Sequence, residues 1–187
     1  MKPVVLVTRK LPGAVEDRLR KDYEPILNPN DTLYSSEDII KMADGAAAIM
    51  PCHTEKFSAD VISRLPESVK IIANFSVGYD HVDTEYCKTN GISVSNAAGY
   101  STDSVAEQTV LMILSLLRNA SVMESRCRDL KGRDGFLGQE LAGKTVGIVG
   151  FGLIGQKTAD LLSAFGCKVH LAKRKSIASD VSYPQLP

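Results

Sequence analysis

Charge of one sign is what this sequence conspicuously lacks: 22 lysines and arginines are matched by 22 aspartates and glutamates across 187 residues. Without a basic surplus there is no electrostatic footprint for nucleic acid and no pull toward an anionic membrane. Cysteine is sparse as well. Cys52, Cys87, Cys127 and Cys167 stand far apart with no C-x-x-C pair, so neither a metal site nor a disulfide framework is indicated. Reduced core thiols in a cytoplasmic protein are the simpler reading. Long apolar runs are missing too: residues 3–7 are too few for a signal peptide, and 110–117 are too few to span a bilayer and read as a buried helix. No internal repeat or low-complexity segment is visible, and 44% hydrophobic residues exclude a disordered chain.

What the sequence does contain is alternation. Short β-forming runs at 4–8, 23–27, 46–50, 70–74 and 92–95 are separated by helical patterns at 13–21, 37–43, 58–65 and 84–89. Ser35-Ser36 caps the second helix and Asn90-Gly91 ends the fourth. This order predicts a flavodoxin-like α/β domain over residues 1–99, a five-stranded parallel sheet covered on both faces.

Residues 100–187 read differently. A helix is predicted at 105–118, with Ser104 and Glu107 spaced as a capping box, and its apolar composition calls for burial on most sides, between two domains or two subunits. A second helix at 122–130 leads to a mixed-charge stretch at 131–138, a solvated loop. The strand 144–149 then feeds into Gly150-Phe151-Gly152-Leu153-Ile154-Gly155, followed by a helix at 156–165 and a strand at 167–172. Glycines at this spacing between strand and helix form a dinucleotide-binding fingerprint. Gly150 permits the tight turn, Gly152 lets the backbone approach a pyrophosphate, and Gly155 lets helix and strand pack closely. The helix N-terminus supplies free amides to the phosphates. The alternative is a glycine-rich turn without a ligand. A Rossmann domain needs more strands than fit before Pro187, so an incomplete one is expected.

Three blocks resemble the D-isomer-specific 2-hydroxyacid dehydrogenase family: Asn74-Phe75-Ser76-Val77-Gly78-Tyr79-Asp80-His81-Val82-Asp83, the stretch from Gly91 through Asn96-Ala97-Ala98-Gly99-Tyr100 to Glu107, and Gly138 through the fingerprint to Gly166. The resemblance implies that backbone amides of Val77 and Gly78 hold the substrate carboxylate; consecutive N–H groups can form such an anion nest. Gly78 as a plain turn residue is the competing reading. The resemblance also places Tyr100 near the cofactor, with Thr102 either helping there or capping the helix. It assigns pyrophosphate contacts to Leu153 and Ile154. Ala98 departs from the proline that many members carry, which loosens a turn but removes no chemical group.

At the end of the second Rossmann strand, where NAD-preferring proteins place an acidic residue, this sequence has Lys173, Arg174 and Lys175. Three cations favour the extra phosphate of NADP; an ordinary solvated basic turn is the alternative. The family's catalytic arginine, carboxylate and histidine are expected beyond Pro187. His53, His81 and His170 match none of these positions, and polar or structural roles are expected for them. No catalytic residue is therefore assigned, and the chain alone is expected to be inactive. The expected ligand is a small 2-oxo or 2-hydroxy acid, with a homodimer formed through the helices between 105 and 130. A non-enzymatic, dinucleotide-sensing or dimerising module of corepressor type, or an inactive fragment, is the alternative.

Overall fold

The computed structural model describes residues 1–129, 137–172 and 183, which fall into two compact units, Met1–Ala98 and Gly99–Pro187. In the first unit, β1 (Val4–Val7), α1 (Gly13–Asp22), β2 (Glu24–Ile26), α2 (Ser36–Met42), β3 (Ala48–Met50), α3 (Ala59–Ser63), β4 (Ile71–Ala73), α4 (Thr84–Thr89) and β5 (Ser93–Ser95) follow one another. The strands pair in parallel in the order β2-β1-β3-β4-β5, the flavodoxin arrangement.

Alternating strand residues sort to the two sheet faces. Leu6, Ile49 and Ile72 point to the face covered by α2, α3 and α4, where Ile39, Phe57, Val61 and Cys87 complete the core. Val5 and Val7 point the other way, against Leu11 and Leu19 of the α1 segment. Coverage of this second face stops short of the far edge. Ile71 and Ala73 are half-buried there and Ser93 and Ser95 exposed, so the expectation of a sheet covered on both faces holds over only part of its width among the described residues. At the helix ends, Ser35 makes a complete capping box with Asp38, and Ser58 and Asp83 each cap the helix that follows.

The second unit contains α5 (Thr102–Arg118), α6 (Ala120–Arg128), β6 (Thr145–Val149), α7 (Leu153–Ala164) and β7 (Lys168–Ala172). β6 and β7 pair in parallel around α7, a single βαβ unit. Its core joins Val110 of α5 to Leu141, Ala159, Leu162, Val169 and Leu171.

Two helix starts differ from expectation. Gly99, at φ +85°, turns the chain so that Thr102 N–H donates to Gly99 O at 3.2 Å and Val105 N–H to Ser101 O at 3.0 Å. The helix thus begins before Ser104, whose hydroxyl bonds back to Ser101 O and forms no capping box with Glu107. Likewise α7 begins at Leu153, with Gly152 as its N-cap. The apolar α5 is also less buried than its composition suggests: only Ala106 and Val110 are fully buried, while Val105, Leu111, Met112 and Leu116 are exposed. Of the four thiols only Cys87 is buried, and Cys127 is exposed. The stretch expected as a loop at 131–138 lies mostly outside the described residues, as do Lys173, Arg174 and Lys175.

Candidate functional site

In a parallel sheet the loops at the carboxyl ends of the strands gather on one edge, where ligands of such folds bind. After β4, residues 74–82 form a loop held from behind by Asn74, whose side chain is almost wholly enclosed. Phe75 N–H donates to Pro51 O at 2.7 Å, tying the loop to the end of β3, and Ala97 N–H donates to Ser76 O at 3.0 Å from the end of β5. The carbonyls face the protein and the N–H groups do not: those of Val77 and Gly78 have no protein acceptor among the described residues. Both residues are exposed, and a Cβ on Gly78 would meet Asp80 Oδ1 at 3.2 Å, so these two unbonded donors lie at the surface with one carboxylate close by. A cavity of about 680 Å³ lies along β5, lined by Ser93, Val94, Ser95 and Asn96 with Thr84 and Lys88 of α4, and Tyr79 is the residue of the loop that reaches it.

A second cluster sits on the same edge, after β1 and β3. Arg9 donates twice to Asp31, at 2.8 and 2.9 Å, and its third donor reaches Thr54 Oγ1 at 2.8 Å. The paired guanidinium, with Lys10 N–H, holds the Asp31 carboxyl down at a pKa of about 2. Thr54 in turn donates to Glu55, a buried carboxylate that also accepts the Cys52 N–H at 2.9 Å. Burial pushes the Cys52 thiol up, away from the reactive thiolate form. His53 is exposed in this loop, and His170 lies within β7. His81 is half-buried against Asn74, and its burial disfavours the charged imidazolium.

In the second unit the fingerprint forms a tight strand-to-helix turn. Gly150 adopts φ +99°, a conformation open to glycine, and its N–H donates to Ala172 O at 2.9 Å, locking the turn to the end of β7. A Cβ on Gly155 would overlap the carbonyl oxygen of Gly150 and meet Ile148 Cγ2 at 3.5 Å, so only glycine fits. Space around Gly152 is open. The first α7 amide taken up is that of Gln156, by Gly152 O at 2.9 Å, which leaves Leu153, Ile154 and Gly155 N–H without a protein acceptor among the described residues. No acidic residue occupies this first turn, so the positive end of the helix dipole is uncompensated there. Leu153 and Ile154 are exposed.

The segment bearing Tyr100 and Thr102 runs beside this turn, because a Cβ on Gly99 would meet Leu153 Cδ1 at 3.8 Å. Tyr100 is 92% exposed, a ring with no packing role, and Thr102 opens α5 half-buried without acting as its cap. Lys157 pairs with Asp103 at 3.0 Å, joining α7 to the start of α5. Among the described residues no group of three or more histidine, cysteine, aspartate or glutamate side chains is placed to hold a metal ion, and no helix is long and apolar enough to cross a membrane. Sequence reasoning missed Asn74, Asn96 and the Arg9 cluster. The signal for Asn74 was present, an asparagine directly after an apolar strand, where a side chain is placed to hold loop carbonyls.

Residues 5–180 match the family model of the D-isomer specific 2-hydroxyacid dehydrogenase catalytic domain. The chain is 34% identical to the glycerate dehydrogenase of Hyphomicrobium methylovorum, over 97% of this chain and 58% of that protein. It is 32% identical to the glyoxylate reductase of Thermococcus gammatolerans, over 90% of this chain and 53% of that protein. Among solved structures, a Polaromonas sp. JS6 66 protein described as an NAD-binding D-isomer specific 2-hydroxyacid dehydrogenase superposes with a TM-score of 0.90 at 29% identity, covering 100% of this chain and 60% of that one. The chain thus spans little more than half the length of the curated relatives it matches.

Proposed function

Because the chain belongs to the D-isomer-specific 2-hydroxyacid dehydrogenase family, we propose that its two sets of free backbone amides are the two anion sites of such an enzyme: Val77 and Gly78 for the carboxylate of a small 2-oxo or 2-hydroxy acid, Leu153 and Ile154 for the cofactor pyrophosphate. Members of this family are NAD(P)-dependent dehydrogenases of small 2-hydroxy and 2-oxo acids. The observation that carries the reading is the unsatisfied first turn of α7, closed against Gly150 by a glycine that admits no side chain. Oriented amides without a counter-charge favour phosphate at a helix N-terminus. Gly152 leaves that approach open, and Tyr100 and Thr102 flank it on the cofactor side.

NADP is the preferred cofactor in this reading. Gly150 N–H bonds Ala172 O, so β7 ends beside the fingerprint, and the next residues in sequence are Lys173, Arg174 and Lys175. Cations in that order suit a ribose phosphate. The exposed apolar side of α5 is the contact of a homodimer. Four cysteines set far apart in sequence with no C-x-x-C pair fit a reducing compartment such as the cytoplasm.

The reading gives these residues the binding of a 2-hydroxy or 2-oxo acid and of the cofactor for hydride transfer, and assigns none of them a catalytic role. Calorimetric titration is expected to show NADPH bound about tenfold more tightly than NADH, a difference lost when Lys173, Arg174 and Lys175 are replaced by alanine. Equal or tighter binding of NADH removes the NADP assignment.

A further inference from the structure

We propose that His81 is a positioning residue: through Asn74 it fixes the peptide groups of the 76–78 loop and so aims the Val77 and Gly78 N–H groups outward at a carboxylate. The proposal rests on the reading of this loop as the carboxylate site.

The orientation of the Asn74 amide follows from its partners. One end lies 2.8 Å from Gly78 O and 3.4 Å from Ser76 O, and carbonyls only accept, so that end is the nitrogen. Oδ1 therefore faces His81 Nε2 at 3.1 Å, and Nε2 must carry the hydrogen. His81 is itself anchored, since its carbonyl accepts Phe57 N–H at 2.8 Å and Phe57 is wholly buried. The chain of restraint runs from the core, through the imidazole and the carboxamide, to the loop carbonyls.

Peptide planarity carries the restraint to the amides. In a trans peptide the N–H of one residue points opposite to the carbonyl before it. Ser76 O is held by Asn74 and by Ala97 N–H, which sets the direction of Val77 N–H. Val77 O is held by Asn96 Nδ2 at 2.7 Å, which sets Gly78 N–H. Gly78 O, held by Asn74 and by Ser76 Oγ at 3.0 Å, closes the loop behind them. If the imidazole is removed, Oδ1 of the enclosed Asn74 loses its partner and the amide is free to rotate off both carbonyls.

The test is an NMR titration of the isotope-labelled 187-residue chain with sodium glyoxylate, read at the Val77 and Gly78 amides. Wild-type protein is expected to show saturable shifts at both. His81→Ala is expected to weaken binding about tenfold with core amides such as Leu6 and Ile72 unmoved, and His81→Gln, whose Nε2 restores the donor, to return within about twofold of wild type. If His81→Ala disturbs the core, His81→Phe keeps ring volume without the donor and must show the same loss. Wild-type affinity in the donor-free variants overturns the proposal, and so does failure of His81→Gln to rescue. Absence of any shift at Val77 and Gly78 in wild type overturns the carboxylate reading, and this inference with it.

Discussion

Arg9 and His81 show how single side chains set the acid response of the first unit. Asp31, bonded by Arg9, ionises at about 2 in the native state against 3.8 for the free group, so its contribution is fully present above pH 4 and lost as pH falls toward 2. His81 is shifted below its usual 6.5 by burial. The unfolded chain therefore takes up that proton first, and stability declines as pH drops below 6.5. Thermal melts between pH 7 and 5 are expected to show a decline that His81→Gln reduces, whereas Asp31→Asn flattens only the loss below pH 4. A His81→Gln protein with the wild-type slope between pH 7 and 5 contradicts this assignment. These partners were not legible in the sequence. Arg9 and Asp31 are 22 residues apart, and pattern shows that a loop is polar without showing which of its groups meet.

At the scale of elements, the strands and the fingerprint were readable because each leaves a local signature. Strands buried in a parallel sheet read as short apolar runs such as Val4-Val5-Leu6-Val7, and the glycine spacing after β6 has few other uses. The start of α5 was not readable. Ser104 and Glu107 imitate a cap, but the turn at Gly99 commits the chain to helix earlier, and the long-range packing of α5 on α7 carries it on. Gly155 is the element where conformation and expected function coincide. Gly155→Ala sets a methyl group against the Gly150 carbonyl, and relief requires moving either the turn or the helix. Urea unfolding is expected to show a loss of about 1–3 kcal/mol, as for overpacked sites. NADPH affinity is expected to fall at least about tenfold as the amides leave register. Unchanged affinity in a destabilised variant would separate packing from binding and count against the pyrophosphate assignment.

At the scale of the molecule, both units leave apolar or open faces. In the second, Leu111, Met112 and Leu116 of α5 and Val122 of α6 are exposed. The composition of α5 calls for burial on most sides, but the structure buries only the side that packs on α7, because composition does not say which residues tertiary packing reaches. Sedimentation velocity is expected to show a concentration-dependent dimer, and the Met112→Glu, Leu116→Glu double variant a monomer with an unchanged far-ultraviolet spectrum. A monomeric wild-type chain at about 100 μM, weak-binding range, argues against this contact.

The unpaired amides of the two units share a property that reaches beyond binding. Peptide N–H groups belong to every residue but proline, so trimming Val77, Leu153 or Ile154 to alanine deletes none of them. A scan by side-chain truncation is expected to pass silently over these amides and to report its losses one layer behind them, at Asn74, Asn96 and His81. The glycines of the turn stay silent until something larger replaces them. In the proposed reading the carboxylate and pyrophosphate contacts are written in backbone conformation, and their vulnerability to mutation lies in the residues that hold those peptides in place.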